Sequence, residues 1–173
     1  MTRAIEPKRL RDLLTLLGQL KQLHDELAVL VKAKVEAMKH ADMRALQEHT
    51  EQERKLVERI QEREGLRRQL TDVIGEQLGF SPRSARTLTV SQLVSCVPEE
   101  QQEAIVESAQ RLRSAVSKVA QANRVAGMVA GELVDHLGRV FAAVRPKAEP
   151  GTAYTSEGAV LSRPECRIFE TVG

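Results

Sequence analysis

From Leu10 to Met38, apolar residues return at steps of three and four: Leu10, Leu13, Leu14, Leu17, Leu20, Leu27, Leu30, Val31, Val35 and Met38. That recurrence predicts one long helix with a broad apolar stripe. It should begin near Pro7, whose fixed φ suits a first turn, and run to Lys39. Gly18 weakens the stripe without ending it. A turn or kink is expected over Lys39–Asp42, with Asp42 capping the next helix by accepting amide hydrogens of its first turn. The second helix runs to about Leu78, with Leu46, Leu56, Val57, Ile60, Leu66, Leu70, Val73, Ile74 and Leu78 as its apolar positions. Its middle, "EHTEQERKLVERIQEREGLRRQL", mixes both charge signs and reads as a solvated face. Glu51–Lys55 and Glu64–Arg68 stand four apart in the favourable order, each contributing about 0.2–0.5 kcal/mol.

The pattern breaks at "LGFSPRSARTL". Gly79 reads as a helix C-cap and Pro82 prevents continuation. Thr89 or Ser91 is expected to cap a short helix through Leu93 and Val97. Pro98 then opens a third long helix, with Glu99, Glu100 and Glu103 near its positive end. Its apolar or small positions are Ile105, Ala109, Leu112, Val116, Val119, Asn123, Ala126, Ala130, Leu133, Leu137, Val140 and Val144. They alternate steps of four and three, the spacing of a coiled-coil seam. Arg145–Pro146 ends it. The expected organisation is therefore a helical bundle over residues 1–146 and an extended or partly disordered tail over 147–173. The fold class is all-α: long helices in an antiparallel hairpin, coiled-coil-like bundle with a short connecting helix.

One stretch of the third helix breaks local rules. "QANRVAGMVAGEL" places an asparagine on the expected seam and two glycines beside it. Each mid-helix glycine costs about 1 kcal/mol relative to alanine. Two uses offset such a cost: tight packing against another helix of the same chain, or a narrow face that lets a partner helix approach.

Composition narrows the function classes. Of 173 residues only 2% are aromatic and tryptophan is absent, so the core must be aliphatic. The formal net charge of +2 sets up no field that points to nucleic acid or membrane. "RKLVERIQEREGLRR" is the one candidate basic segment, but its interleaved glutamates and lack of aromatics oppose nucleic-acid binding. Cys96 and Cys166 fit no metal motif and read as reduced thiols. The N-terminus lacks the apolar core of a signal peptide, and no run approaches the roughly 18 apolar residues of a membrane span. A cytoplasmic protein without stable membrane insertion is expected. His24, His40, His49 and His136 do not share a ligand spacing, and no nucleophile, phosphate-loop or zinc motif occurs. No enzyme, no cofactor and no metal are expected.

The ordered segments resemble the FlgN-type flagellar export chaperones. The similarity lies in the leucine-rich first helix leading into "EAMKHADMRAL", and in "EQERKLVERIQEREGL" on the second. It continues through the break "LGFSPRSARTLTVSQL", the third-helix stretch "ANRVAGMVAGELVDHL" and the tail motif "AYTSEG". The third-helix stretch is similar to the family's "NxxNG" helix, although Ala126 replaces its second Asn, so only Asn123 and Gly127 carry over. The resemblance spans the chain to about Gly158. It implies a chaperone that binds the terminal helical segments of hook-associated (hook–filament junction) proteins, prevents their premature association and delivers them to the flagellar export gate, without hydrolysing ATP. For such a client helix the expected groove is helix three with the tail, at Asn123, Ala126, Gly127, Ala130, Leu133, Leu137, Val140 and Phe141, with Tyr154 as a candidate anchor. The alternative from the heptads alone is a structural or scaffolding coiled coil that homodimerises through helix three.

Overall fold

The computed structural model describes residues 4–144 and the short strands at 153–154 and 160–161. Five helices occur in order: α1 Pro7–Lys39, α2 Met43–Leu78, α3 Pro82–Ala85, α4 Val90–Cys96 and α5 Glu99–Val144. The strands β1 Ala153–Tyr154 and β2 Val160–Leu161 pair antiparallel. The fold is all-α, and the long-helix boundaries fall where the sequence places them. The caps explain why. Pro7 occupies the first turn of α1. The Asp42 carboxylate accepts from Ala45 N at 2.9 Å and starts α2. Gly79, at φ 95°, ends α2 in the left-handed conformation that a side chain would oppose. Thr89 and Gln92 form a capping box on α4. The expected break at Pro82 also carries a turn of helix, because Pro82 starts α3 behind a Ser81 cap.

The chain divides into two units, Met1–Leu133 and Val134–Gly173. In the first, α1 and α2 form an antiparallel hairpin. Arg9 meets Gln77, Glu26 meets Arg59 and Lys34 pairs with Glu53, so one number falls as the other rises. The tight turn between the helices puts Ala41 at φ 53°, a strained conformation for a residue with a Cβ. The helix α5 returns alongside α1 in the same direction. The Gln101 side chain accepts from Ile5 N at 3.0 Å and donates to Ile5 O at 3.1 Å, and further along Lys118 reaches Asp25 at 3.6 Å.

Two aliphatic clusters hold this three-helix arrangement. The first joins Ile5, Leu13 and Leu17 to Ile74, Leu93, Val97 and Ile105. The second joins Leu27, Ala28, Val31 and Val35 to Val119, Ala122 and Ala126, with Leu56 and Ile60 packed against them. Burial of each such branched side chain contributes about 1.5–3 kcal/mol, which replaces what aromatic residues supply elsewhere. At Gly75 the backbone of α2 lies close to α3. A Cβ built there would stand 2.8 Å from Ala85 Cβ and 3.1 Å from Ala85 Cα, so Gly75 is what lets α3 seat on α2.

Candidate functional site

The buried residues of α5 are Ile105, Ala115, Val119, Ala122 and Ala126, with Leu112 and Val129 partly buried. The expected seam shares Ile105, Leu112, Val119 and Ala126 with this set. Its other row is displaced by one residue. Ala115 and Ala122 face the core where Val116 and Asn123 were expected, and both of the latter are exposed. Ala122 and Ala126 pack in one cluster with Leu27, Ala28 and Val31 of α1, and Ala115 is buried on the same row as Ala122, whereas a pure apolarity count favours Val116. Asn123 therefore stands in solvent and not on the packed seam.

The remaining site candidates fall into distinct environments. Ala126 is buried by the chain's own helices, so it is not free for a client. Gly127 is exposed and Ala130 half-buried. At Gly127 and Gly131 an added Cβ would meet nothing within 4 Å, so neither glycine is needed for packing against the described residues. Every residue from Gly131 to Val144 is exposed. That includes Leu133, Leu137 at 52% and Val140, with Phe141 at 70% and Val134 at 68% exposure. Tyr154 stands opposite Val160 in the strand pair. Its expected role as an anchor concerns a side chain outside the described residues, as do the expected disorder of the tail and the state of Cys166.

Large apolar side chains left in water at helical spacing are the informative feature here, since scattered single ones need no explanation. Leu133, Leu137, Val140, Phe141 and Val144 follow one another at steps of three, four and one, on one side of α5. Among the described residues, no group of three His, Cys, Asp or Glu side chains is placed to hold a metal ion. The perturbed titrating groups are structural ion pairs. A hydrogen bond from Lys21 holds Asp25 below the usual carboxylate range, and one from Arg67 does the same for Glu64. Arg67 is raised in turn by Glu64.

A protein-family model described as "FlgN protein" matches residues 1–162 of the chain. The chain belongs to the FlgN family. FlgN proteins are flagellar export chaperones rather than enzymes, and they act in flagellum assembly. No curated protein and no solved structure matches the chain. Among the described residues, no helix of this FlgN chain is long and apolar enough to cross a membrane.

The residues that sequence reasoning missed are Ala115, Ala122, Gly75 and the Gln101–Ile5 clasp. A heptad count that weights small residues as seam candidates would find the first two. Nothing in the sequence marks the others, because they depend on which helix lies opposite.

Proposed function

We propose that this protein is a cytoplasmic chaperone that receives terminal amphipathic helical segments of hook-filament junction proteins on the exposed apolar stripe of α5 and presents them for flagellar export. The observation that carries this reading is the run Val134, Leu137, Val140, Phe141 and Val144, all exposed, at helical spacing. A client helix would lay its own apolar stripe there, the helix-on-helix form of peptide recognition. The client segment orders as it binds. That cost keeps the affinity moderate and allows release at the export gate. Shielding those segments also prevents their premature association.

The test is Leu137→Asp combined with Phe141→Asp, with binding to full-length hook-associated proteins measured by calorimetry. Both positions are exposed, so helix content and unfolding midpoint should hold while binding falls at least tenfold. Unchanged binding by the folded double variant would remove the stripe from the site. The alternative, a scaffolding homodimer through α5, rests on the same stripe and predicts a stable dimer in light scattering whose mass falls in the double variant.

A further inference from the structure

On α1, Lys32, Val35, Glu36 and Lys39 follow at steps of three, one and three, and on α5 Lys118, Gln121, Ala122 and Val125 repeat that spacing. Each set is one helical face two turns long, about 11 Å. The two faces line one groove of about 450 Å³, to which α2 contributes no residue. Its floor is apolar: Val35 and Ala122 are buried, and Val125 is left 39% exposed. Its rim is basic. Lys32 and Lys39 stand on the α1 side and Lys118 on the α5 side, all exposed, against the single carboxylate of Glu36. Lys39 already holds that carboxylate at 2.7 Å. Among the described residues Lys32 enters no ion pair, although Lys34 and Lys39 beside it do. Lys118 reaches Asp25 at 3.6 Å, a carboxylate that Lys21 holds at 2.6 Å. The neighbouring groove between α1 and α2 shows no such excess, because Lys21 pairs with Asp25 and Glu26 with Arg59.

We propose that the α1–α5 groove seats an amphipathic helix of a partner protein, one whose apolar stripe is flanked by Asp or Glu. The stripe lies on Val35, Ala122 and Val125, and the flanking carboxylates meet Lys32 on one side and Lys118 on the other, the helix-in-groove form of recognition. Charge selects this partner. A helix flanked by lysine would bring like charges together on both rims, which disfavours it. Exposed rim charges act chiefly on specificity and on the rate of association, and salt screens them. A second copy of this chain is the weaker occupant, because carboxylates along its α2 already hold arginines of the same helix: Glu51 and Glu58 on Arg54, and Glu64 on Arg67. The client-docking reading rests on the apolar run Val134–Val144, a different chemistry. The groove is therefore assigned to a further partner, and the inference stands whether or not that reading holds.

The test uses the full chain and two synthetic amphipathic helices of about 18 residues, alike in their leucine stripe, one flanked by glutamate and the other by lysine. Fluorescence anisotropy follows binding at low and high salt. The glutamate-flanked helix should bind and weaken as salt is raised, and the lysine-flanked one should not bind. Lys32→Glu with Lys118→Glu should cut binding of the glutamate-flanked helix about tenfold and transfer it to the lysine-flanked one. The neutral pair Lys32→Gln with Lys118→Gln should give an intermediate loss. Both lysines are exposed, so circular dichroism should show each variant folded as the wild type is. Equal binding of the two helices, binding of neither, or binding of the glutamate-flanked helix that ignores the lysine variants would each overturn the proposal. Loss only in Leu137→Asp with Phe141→Asp would move the helix to the α5 stripe. A dimer in light scattering that the charge reversals dissolve would give the groove to a second copy. Full-length hook-associated proteins should bind the charge-reversed variant as they bind wild type, and a loss there would give the groove to the client instead.

Discussion

Glycine to alanine exchange separates the two kinds of helical glycine in this protein, and the structure assigns them opposite signs. At Gly127 and Gly131 a new Cβ meets nothing within 4 Å. Each substitution then gains helix propensity, about 0.5–1 kcal/mol, so Gly127→Ala with Gly131→Ala should raise stability by about 1–2 kcal/mol. At Gly75 the same propensity gain is opposed by Ala85 Cβ at 2.8 Å and Ala85 Cα at 3.1 Å. The second of these is backbone and cannot rotate away, so α3 has to move. Overpacking of this kind costs about 1–3 kcal/mol, which outweighs the propensity gain and leaves Gly75→Ala a net loss of up to about 2.5 kcal/mol. For a chain of this size each kcal/mol moves the melting temperature by about 2–4 °C. Urea unfolding followed by circular dichroism reads both signs, provided the slope with denaturant stays constant. Stabilisation by Gly75→Ala would show that α3 does not sit against α2 as described. Destabilisation by the Gly127 and Gly131 pair would show that another helix packs against them after all.

Asp42→Ala removes the cap that accepts from Ala45 N and should cost about 1 kcal/mol in urea unfolding. Ala41→Gly relieves the left-handed backbone of the α1–α2 turn and should gain about 0.5–1 kcal/mol, read the same way. Glu64 has its folded pKa lowered, chiefly by the Arg67 hydrogen bond at 2.7 Å. Its contribution is therefore present above the ordinary glutamate pKa of about 4.3 and is lost as pH falls through the lower folded value. Unfolding midpoints of wild type and Glu64→Gln should differ by less than about 1 kcal/mol at pH 7 and converge in acid, as expected of a partly exposed pair. A difference that grows on acidification would reverse the assignment.

The three long helices were legible because local rules decide them. Pro7, Asp42, Gly79 and Pro98 act within a turn of their own position, and the leucine spacing of α1 admits no other periodicity. The face of α5 was less legible. Val116 and Ala115 are adjacent and both acceptable on a heptad, and apolarity favours valine. The choice falls to the row of Ala115 and Ala122 because of what lies opposite: Ala122 packs in one cluster with Leu27, Ala28 and Val31 of α1, information held some ninety residues away. The same displacement moves Asn123 from seam to surface and covers Ala126. The candidate site shifts with it, away from the narrow stretch "QANRVAGMVAGEL" and toward Val134–Val144. The glycines of that stretch remain in a helix because their cost is small against two aliphatic clusters. The stripe beyond them remains apolar although the described residues leave it uncovered. For a stand-alone bundle those residues could be polar at no cost to the core. Their apolar character at helical spacing is what a face that receives a client helix, as proposed above, requires.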